Sequence, residues 1–246
     1  MRAVALLVCG LCACRAPLSE LDGAFYSWDR RDVHCAVEID DTAGWQWTDI
    51  ADGLDRARDR GEVLEVLVHR PGESMSWDGF EQLLAGVRER ELPFVTASEM
   101  TVGTGAGVAL MYDDWYLDIW LAAQPLLDKY QARATIYVAH YKWFEPAEKA
   151  KVRQLAEAGN DIEAHGTFHL RGPGYVEDHG VGSYLDEEVV PSIDLLAADG
   201  YDVVSFAYPF GMRTDEMDRA ILDTGKVASV RALTKPQELR ANPCPR

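Results

Sequence analysis

The chain has 246 residues, enough for one large domain or two small ones. Its 41 acidic and 24 basic side chains give a formal charge of −17, which argues against nucleic acid or an anionic membrane surface as an electrostatic partner. With 48% hydrophobic and 26% charged residues, the composition is that of a globular protein rather than a disordered, collagen-like or multi-span membrane protein.

The first fourteen residues predict an export signal. One cation, Arg2, precedes an uncharged apolar run that is about half as long as a membrane span. Residues 11–14 read LCAC and resemble a bacterial lipobox, in which the last cysteine receives lipid. We therefore expect a lipoprotein-type signal peptide over residues 1–14, with Cys14 anchoring the mature protein to a membrane face. An ordinary signal peptide with incidental cysteines is the alternative.

Two cysteines remain beyond the predicted signal and the lipid-bearing residue. Cys35 and Cys244 lie one near each end of the mature chain. In an exported protein, two leftover cysteines suggest a disulfide, here one that joins the two ends of the chain. Two free thiols are the alternative.

Strands and helices are predicted to alternate along most of the chain. Residues 15–60 are interpreted as a tether and lead-in, with a short strand at 37–39 and a helix at 50–60 that ends before Gly61. Extended segments are predicted at residues 63–69, 93–96, 108–112, 134–139, 161–164, 203–207 and 227–230. Helices are predicted at residues 80–90, 119–130, 146–158, 187–198 and 214–222. Alternation with continuously apolar strands predicts an α/β fold with a parallel sheet, and residues 61–246 are assigned to one domain.

Two adjacent carboxylates, Asp113 and Asp114, follow the predicted strand at 108–112. In parallel α/β folds, chemistry is located at the carboxyl ends of strands. Adjacent carboxylates repel one another and are costly to bury without compensation, and a divalent cation would relieve that cost. Taken alone, an adjacent pair of aspartates is more often a solvated turn or a helix cap than a functional site.

His165 and His169 follow the predicted strand at 161–164 and are four residues apart. That spacing brings two imidazoles to one face of a helical turn, or lets them converge from a tight loop. One carboxylate and two histidines form a facial metal-ligand set that leaves positions open for water and substrate. Two unrelated surface histidines are the alternative.

Together these motifs resemble the polysaccharide deacetylase family, also called the NodB-homology domain or carbohydrate esterase family 4. The family pattern Thr-Phe-Asp-Asp is similar to residues 111–114 (MYDD), and His-[Ser/Thr]-x-x-His is similar to residues 165–169 (HGTFH), with the hydroxyl one place late. Arg-x-Pro-[Tyr/Phe]-Gly is similar to residues 207–211 (AYPFG). The absence of the arginine at the start of this motif, and the sequence of residues 63–100, are similar to the branch of the family that deacetylates exported poly-N-acetylglucosamine. The resemblance covers about residues 63–232.

The resemblance implies a single-domain NodB-homology fold, a distorted or partly open (β/α) barrel. It also implies a metal-dependent hydrolase that removes N-acetyl groups from a cell-envelope or extracellular polysaccharide. Asp113 then corresponds to the general base, and the expected ligands of a divalent metal, Zn²⁺ from the ligand types, are Asp114, His165 and His169.

The expected substrate-binding residues are Tyr208, Pro209, Phe210 and Arg231. The aromatic rings at 208 and 210 would wall the sugar site, with core packing behind a Pro-Gly turn as the alternative. Arg231 resembles an arginine that follows the late strand in related sequences, where it would contact Asp113.

One family motif has no counterpart here. It is a Leu-x-His whose histidine protonates the leaving amine, and residues 232–246 contain no histidine. His69, His140 and His179 are the candidates to replace it. If none does, the chain is a catalytically impaired deacetylase-like lipoprotein that binds glycan without turnover. A structural envelope lipoprotein without a ligand is a third interpretation.

The expected partners are an acetylated glycan substrate and a membrane contacted only through the lipid anchor, with no nucleic acid. The expected location is the exported bacterial cell envelope, with a periplasmic or secreted protein as the alternative. Trp115, at a position where the family usually has glycine, could stack on sugars. The acidic run at residues 186–188 is interpreted as the first turn of a helix, where acids complement the helix dipole.

Overall fold

The computed structural model describes residues 16–234 and Cys244. The strands are β1 (Phe25–Tyr26), β2 (Val33–Glu38), β3 (Val63–Leu67), β4 (Gly107–Asp114), β5 (Ala134–Val138), β6 (Asp161–Ala164), β7 (Ser205–Ala207) and β8 (Ser229–Thr234). The helices are α1 (Trp47–Arg60), α2 (Trp77–Glu89), α3 (Ala97–Met100), α4 (Leu117–Lys129), α5 (Pro146–Glu157), α6 (Gly172–Tyr184), α7 (Val190–Ala198) and α8 (Asp215–Leu222). A π-helical segment, Leu185–Val189, connects α6 to α7. The predicted signal peptide and Cys14 lie outside the described residues.

Seven parallel strands close into a barrel. Strands β2 to β8 pair in chain order, and β8 returns to pair with β2, so the ring is complete. Strand β1 is antiparallel to β3 and lies outside this ring. The predicted single-domain (β/α) barrel is confirmed. It is distorted between β6 and β7, where one residue pair, Ala164 and Phe206, joins the two strands.

The barrel begins earlier than the predicted domain boundary at residue 61. Strand β2 and helix α1 lie within the stretch interpreted as a tether and lead-in, yet they form the first βα unit. The polar side chain of His34 interrupts the apolar pattern of β2, so only residues 37–39 were predicted as a strand. In the fold, His34 is buried and its Nδ1 lies 3.0 Å from the buried Glu65 carboxylate, which satisfies it inside the barrel.

Helices cover the barrel through the apolar faces that their spacing predicts. Phe80, Leu83, Leu84 and Val87 of α2 are all buried, as expected for residues three and four apart. Helix α6 was not predicted because its glycines lower helix propensity, and Gly180 is non-helical within it. No helix within residues 16–234 is long and apolar enough to cross a membrane.

A disulfide fastens the end of the chain to the barrel. Cys35 of β2 and Cys244 are bonded, with a Cα–Cα distance of 6.1 Å across a sequence separation of 209 residues. The Thr234 hydroxyl lies 3.0 Å from the Cys244 sulfur. The bond is therefore at the junction of β2 and β8, where the first and last strands of the ring meet.

Candidate active site

The carboxyl ends of the parallel strands bring the predicted site residues to one rim of the barrel. Asp113 and Asp114 are the last two residues of β4, and His165 directly follows β6. Ala139, after β5, donates its backbone N–H to the Asp114 carbonyl at 2.8 Å, and His165 donates to the Val138 carbonyl at 3.1 Å. These bonds continue the sheet ladder past the strands, so the side chains at the rim have fixed positions.

Asp114, His165 and His169 converge on a shared point. One ligand atom from each lies within 4.8 Å of the others. The His169 Nε2 is 3.1 Å and the His165 Nε2 is 3.7 Å from the Asp114 Oδ1. One carboxylate oxygen and two imidazole nitrogens at this spacing match the donor set of a divalent metal site.

The two imidazoles present the nitrogens that a cation would need. The His165 Nδ1 is 2.9 Å from the Ala207 carbonyl and donates to it, which leaves the Nε2 lone pair facing Asp114. Burial lowers the pKa of His165 to about 4, so the ring is neutral. The His169 Nε2 is buried and, although the Asp114 Oδ1 is 3.1 Å away, it makes no hydrogen bond with any of the described residues. A buried nitrogen without a partner is costly, and a bound cation would satisfy it.

Several residues around the rim adopt a left-handed backbone that is unusual for side chains other than glycine. The φ angles are 91° at Asp114, 60° at His140, 58° at His169 and 60° at Phe210. Each such residue costs roughly 1–3 kcal/mol and persists only where the surrounding structure holds it. The concentration of these residues at one rim is typical of a functional site.

The loop that carries both histidines is held by Glu188, a residue that the sequence did not identify. The acidic run at residues 186–188 was interpreted as the first turn of a helix, but it lies in the π-helical segment that continues α6 into α7, and the Glu188 side chain is completely buried. Its carboxylate accepts hydrogen bonds from the backbone N–H groups of Phe168 at 2.6 Å and Leu170 at 2.8 Å. Burial raises the pKa of Glu188, and these two donors oppose that shift.

Asp113 lies beneath the metal-ligand group and is paired with Arg231. The Arg231 guanidinium donates to the Asp113 Oδ1, and the other carboxylate oxygen is 3.6 Å from the His165 Nε2. Burial opposes ionisation of Asp113, but the charge of Arg231 outweighs it and holds the pKa of this carboxyl below its usual range. Asp113 is therefore an ionised carboxylate, the form that a general base requires.

Arg231 does not have the accessibility expected of a substrate-binding residue. Its side chain is completely buried inside the barrel, with the guanidinium 4.7 Å from the centre of the Tyr137 ring. The expected contact with Asp113 is present. Arg231 is thus a partner of the buried acid rather than a residue that substrate reaches.

His69 has the protonation expected of an acid. It follows β3, and its Nδ1 donates to the Asp40 Oδ2 at 2.6 Å. Burial disfavours the charged ring, but the hydrogen bond to Asp40 and the charges of Asp113, Asp40 and Asp114 outweigh burial and raise the pKa of His69 to about 9. The Asp40 Oδ1 also accepts from the Ser74 hydroxyl at 2.7 Å, which fixes the carboxylate.

Asp40 and His69 also belong to a second group with metal-ligand spacing, completed by Glu38. Because both oxygens of Asp40 already accept hydrogen bonds and one holds His69, this arrangement is explained without a cation. The pair is better described as an imidazolium held by a carboxylate.

The other two histidines considered for the missing acid fit less well. The His140 ring is 6.1 Å from that of His169, but burial lowers its pKa, so it is neutral at neutral pH. His179 lies exposed on α6, with its ring 4.5 Å from that of Tyr175. Neighbouring carboxylates hold His69 in the protonated form, whereas burial keeps His140 neutral.

The segment 207–211 contributes one ring to the rim rather than two. Tyr208 is completely buried and its hydroxyl donates to Asp218 at 2.8 Å, so it packs in the core, and the expectation that it walls the sugar site does not hold. Pro209 is likewise buried. Phe210 is half-buried, with its ring 4.6 Å from that of His169 and 4.1 Å from the Arg171 guanidinium.

Three exposed aromatic side chains stand beside the metal-ligand group. Trp115, Trp143 and Phe168, hereafter the aromatic rim, are 40%, 49% and 42% exposed. The Trp143 and Phe168 rings are 5.1 Å apart, and the Trp115 ring is 5.7 Å from that of His169. Large exposed aromatic side chains that cluster next to a polar site are typical of a binding surface, whereas single exposed hydrophobic residues are common on any protein.

The family model described as polysaccharide deacetylase matches residues 103–228. None of the curated proteins matches this chain. Three solved structures have the same fold. IcaB from Ammonifex degensii superposes with a TM-score of 0.57 at 20% sequence identity, over 71% of this chain and 86% of that chain. The deacetylase PplD of Streptococcus pyogenes in complex with acetate gives a TM-score of 0.54 at 18% identity, over 74% of this chain and 96% of that chain, and a de-N-acetylase from Aggregatibacter actinomycetemcomitans gives 0.51 at 12% identity, over 68% and 84%. At these identities the likeness is one of fold.

Proposed function

Because the chain belongs to the polysaccharide deacetylase family, we propose that it is an active metal-dependent hydrolase that removes N-acetyl groups from N-acetylglucosamine units of a cell-envelope polysaccharide. The observation that carries the proposal is that two sets of residues, a candidate metal-ligand set and an acid–base pair, lie at one rim of the barrel. Asp114, His165 and His169 share a point, while Asp113 and His69 provide an ionised carboxylate and a protonated imidazole beside it.

Asp114, His165 and His169 are the proposed metal ligands. Their donor atoms, the neutral state of His165 and the unsatisfied Nε2 of His169 fit a divalent cation, with Zn²⁺ suited to two imidazoles and a carboxylate. When bound, such a cation supplies Lewis-acid polarisation of the amide carbonyl and lowers the pKa of water towards 7.

Asp113 is the proposed general base and His69 the proposed general acid. Asp113 accepts a proton from the attacking water as oxygen bonds to the acetyl carbon. When the carbon–nitrogen bond breaks, His69 donates the proton on Nε2 to the amine, since its Nδ1 is bonded to Asp40. Water is consumed, and acetate and the free amine are the products. This assignment gives His69 the role that the histidine of the Leu-x-His motif has in the family pattern.

The aromatic rim is the proposed contact for the sugar chain. Trp143 and Phe168 are 49% and 42% exposed, and apolar sugar faces pack against such rings. The Lys142 ammonium, 5.7 Å from the centre of the Trp143 ring and 5.5 Å from that of Phe168, supplies a donor for sugar hydroxyls beside them. We assign Phe210 to the same surface because its ring touches His169.

Export to the cell envelope with a lipid on Cys14 completes the proposal. It is supported by the residue pattern of 1–14 and by the Cys35–Cys244 bond, since disulfides persist in oxidising compartments. Labelled-lipid incorporation into the full chain, and its loss in Cys14→Ala, tests the anchor.

Acetate release from chito-oligosaccharides tests the activity. We expect release with Zn²⁺, loss on chelation and recovery on addition of metal. Asp113→Asn should lower kcat by about 10²–10⁴-fold, while Asp118→Asn, an exposed acid at the start of α4, should leave it unchanged. Saturable binding of the oligosaccharide without acetate release would instead support the catalytically impaired alternative.

A further inference from the structure

The loop 165–169 needs support from outside itself. Gly166 and His169 both have left-handed backbone angles, with φ of 86° and 58°. The loop leaves β6 and turns back so that His169 faces Asp114. A side chain at φ near 58° is disfavoured unless neighbouring groups hold it.

Glu188 provides that support on both sides of His169. Its carboxylate accepts from the N–H of Phe168 at 2.6 Å and from that of Leu170 at 2.8 Å. Its backbone carbonyl accepts from the N–H and the hydroxyl of Thr167, each at 3.0 Å. One residue therefore receives four hydrogen bonds from residues 167–170, which include the two neighbours of His169.

The fit between the loop and Glu188 is close. A Cβ added at Gly166 would lie 2.2 Å from the Glu188 Oε1, so only glycine permits the approach. Glu188 is completely buried, while its neighbours Asp186 and Glu187 are exposed. It lies in the π-helical segment Leu185–Val189, and such segments are frequent at functional sites.

We propose that Glu188 is a positioning residue that sets the geometry, and hence the affinity, of the metal-binding loop. The inference rests on the proposed function, because it takes Asp114, His165 and His169 as the ligands. Residue 167, where the hydroxyl stands one place later than in the family pattern, directs its hydroxyl to the Glu188 carbonyl rather than to a histidine. In this chain, the loop is therefore held by an acid 19 positions beyond His169 in the sequence.

Zn²⁺ affinity of the full-length protein, measured by competition with a chelating indicator and without substrate, tests the proposal. In Glu188→Gln, the side-chain amide cannot accept from both backbone N–H groups, because one of its two oxygen acceptors is lost. We expect Zn²⁺ binding about 10–100-fold weaker, the range found when groups that orient metal ligands are removed. Asp186→Asn, which neutralises an exposed acid in the same segment, should bind as the unaltered protein does.

A second variant separates positioning from folding. Glu188→Asp keeps the charge on a shorter side chain, so we expect an intermediate affinity and a folded protein by circular dichroism. Affinity within twofold of the unaltered protein in folded Glu188→Gln would overturn the proposal. Loss of folding in both variants would also overturn it, because Glu188 would then serve the whole fold. Normal Zn²⁺ binding without acetate release in the unaltered protein would reject the proposed function while leaving this inference intact.

Discussion

Replacing Asp40 with asparagine should move the alkaline limit of activity to lower pH. The carboxylate of Asp40 accepts the Nδ1 hydrogen of His69 at 2.6 Å. Asparagine keeps an oxygen acceptor at the same place but removes the negative charge. The substitution therefore tests the charge that keeps His69 protonated while preserving most of the local packing.

The magnitude follows from the pKa of His69. Burial acts against the charged ring, yet the carboxylates raise the pKa from 6.5 to about 9, a change worth about 3 kcal/mol in favour of the imidazolium. The Asp113 carboxylate remains in the variant, so part of the effect survives. We expect the pKa of His69 to fall by about one to two pH units.

The assay is the pH profile of kcat/KM for acetate release, with the same metal bound in both proteins. A general acid must be protonated, so activity falls as the pH rises through the pKa of His69. A lower pKa moves this fall to lower pH, and Asp40→Asn should lose activity where the unaltered enzyme still retains it. Glu73→Gln is the matched control. It removes an exposed acid that pairs with Arg70 in the loop following His69, and it should keep the original pH profile.

Stability provides an independent measurement on the metal-free protein. The pKa of His69 is higher in the folded chain than in the unfolded chain, so its contribution is complete below pH 6.5 and disappears as the pH rises through about 9. Asp40→Asn should therefore lower the Tm more at pH 6 than at pH 10. An unchanged alkaline limb together with an equal Tm loss at both pH values would refute the assignment of His69 as the acid.

Three further outcomes are expected. Arg231→Met leaves the buried Asp113 carboxylate unpaired, so it should lower the free energy of unfolding by about 3–5 kcal/mol in denaturant titrations and move the acid limb of kcat/KM to higher pH; an unchanged acid limb would contradict the pairing. Trp143→Ala should raise KM for chito-oligosaccharides about tenfold with kcat unchanged, as for binding shared by ground and transition states, and a lower kcat at constant KM would contradict this. Reducing the bond between Cys35 and Cys244 should lower the free energy of unfolding by about 2–5 kcal/mol without altering Zn²⁺ affinity, whereas equal stability would show that the bond does not constrain the chain.

Much of the fold follows from local patterns in the sequence. The strand at 161–164 agrees with β6 at both ends, and the buried face of α2 follows from the spacing of its apolar residues. In α2 the buried residues are apolar and recur with the period of a helix. In β6, Ile162 and Ala164 alternate with Glu163, which is also buried and accepts hydrogen bonds from the backbone N–H groups of Val204 and Ser205. Local pattern and tertiary packing therefore indicate the same structure.

The elements that were missed have local sequences that disagree with their structure. The glycines of α6 lower its helix propensity, so its helical form depends on tertiary contacts such as Gly172 against Tyr184 and Met217. His34 interrupts the apolar run of β2, and its partner Glu65 lies 31 residues away. Neither contact leaves a signal in a short window of sequence.

The residues of the candidate site likewise fall into those that a local sequence pattern predicts and those that only the fold reveals. The sequence predicted the proposed metal ligands because two of them lie four residues apart and the third belongs to an adjacent acidic pair, and the structure brings their ligand atoms within 4.8 Å of one another. Glu188 was missed because an acid in an acidic run has the composition of a solvated turn, and only the fold shows its buried contacts. The preference for His69 over the other histidines depends on Asp40, which is 29 residues away.

Strand β8, the last strand of the barrel, has two roles in the structure. Strand β8 joins β7 to β2, and the same strand carries Arg231 to Asp113. A nascent chain that stops before residue 229 has two open sheet edges and a carboxylate without its guanidinium. The strand that closes the ring thus also carries the charge partner of the buried acid, so a chain shortened within β8 would lack both the final strand pairings and the Arg231–Asp113 ion pair.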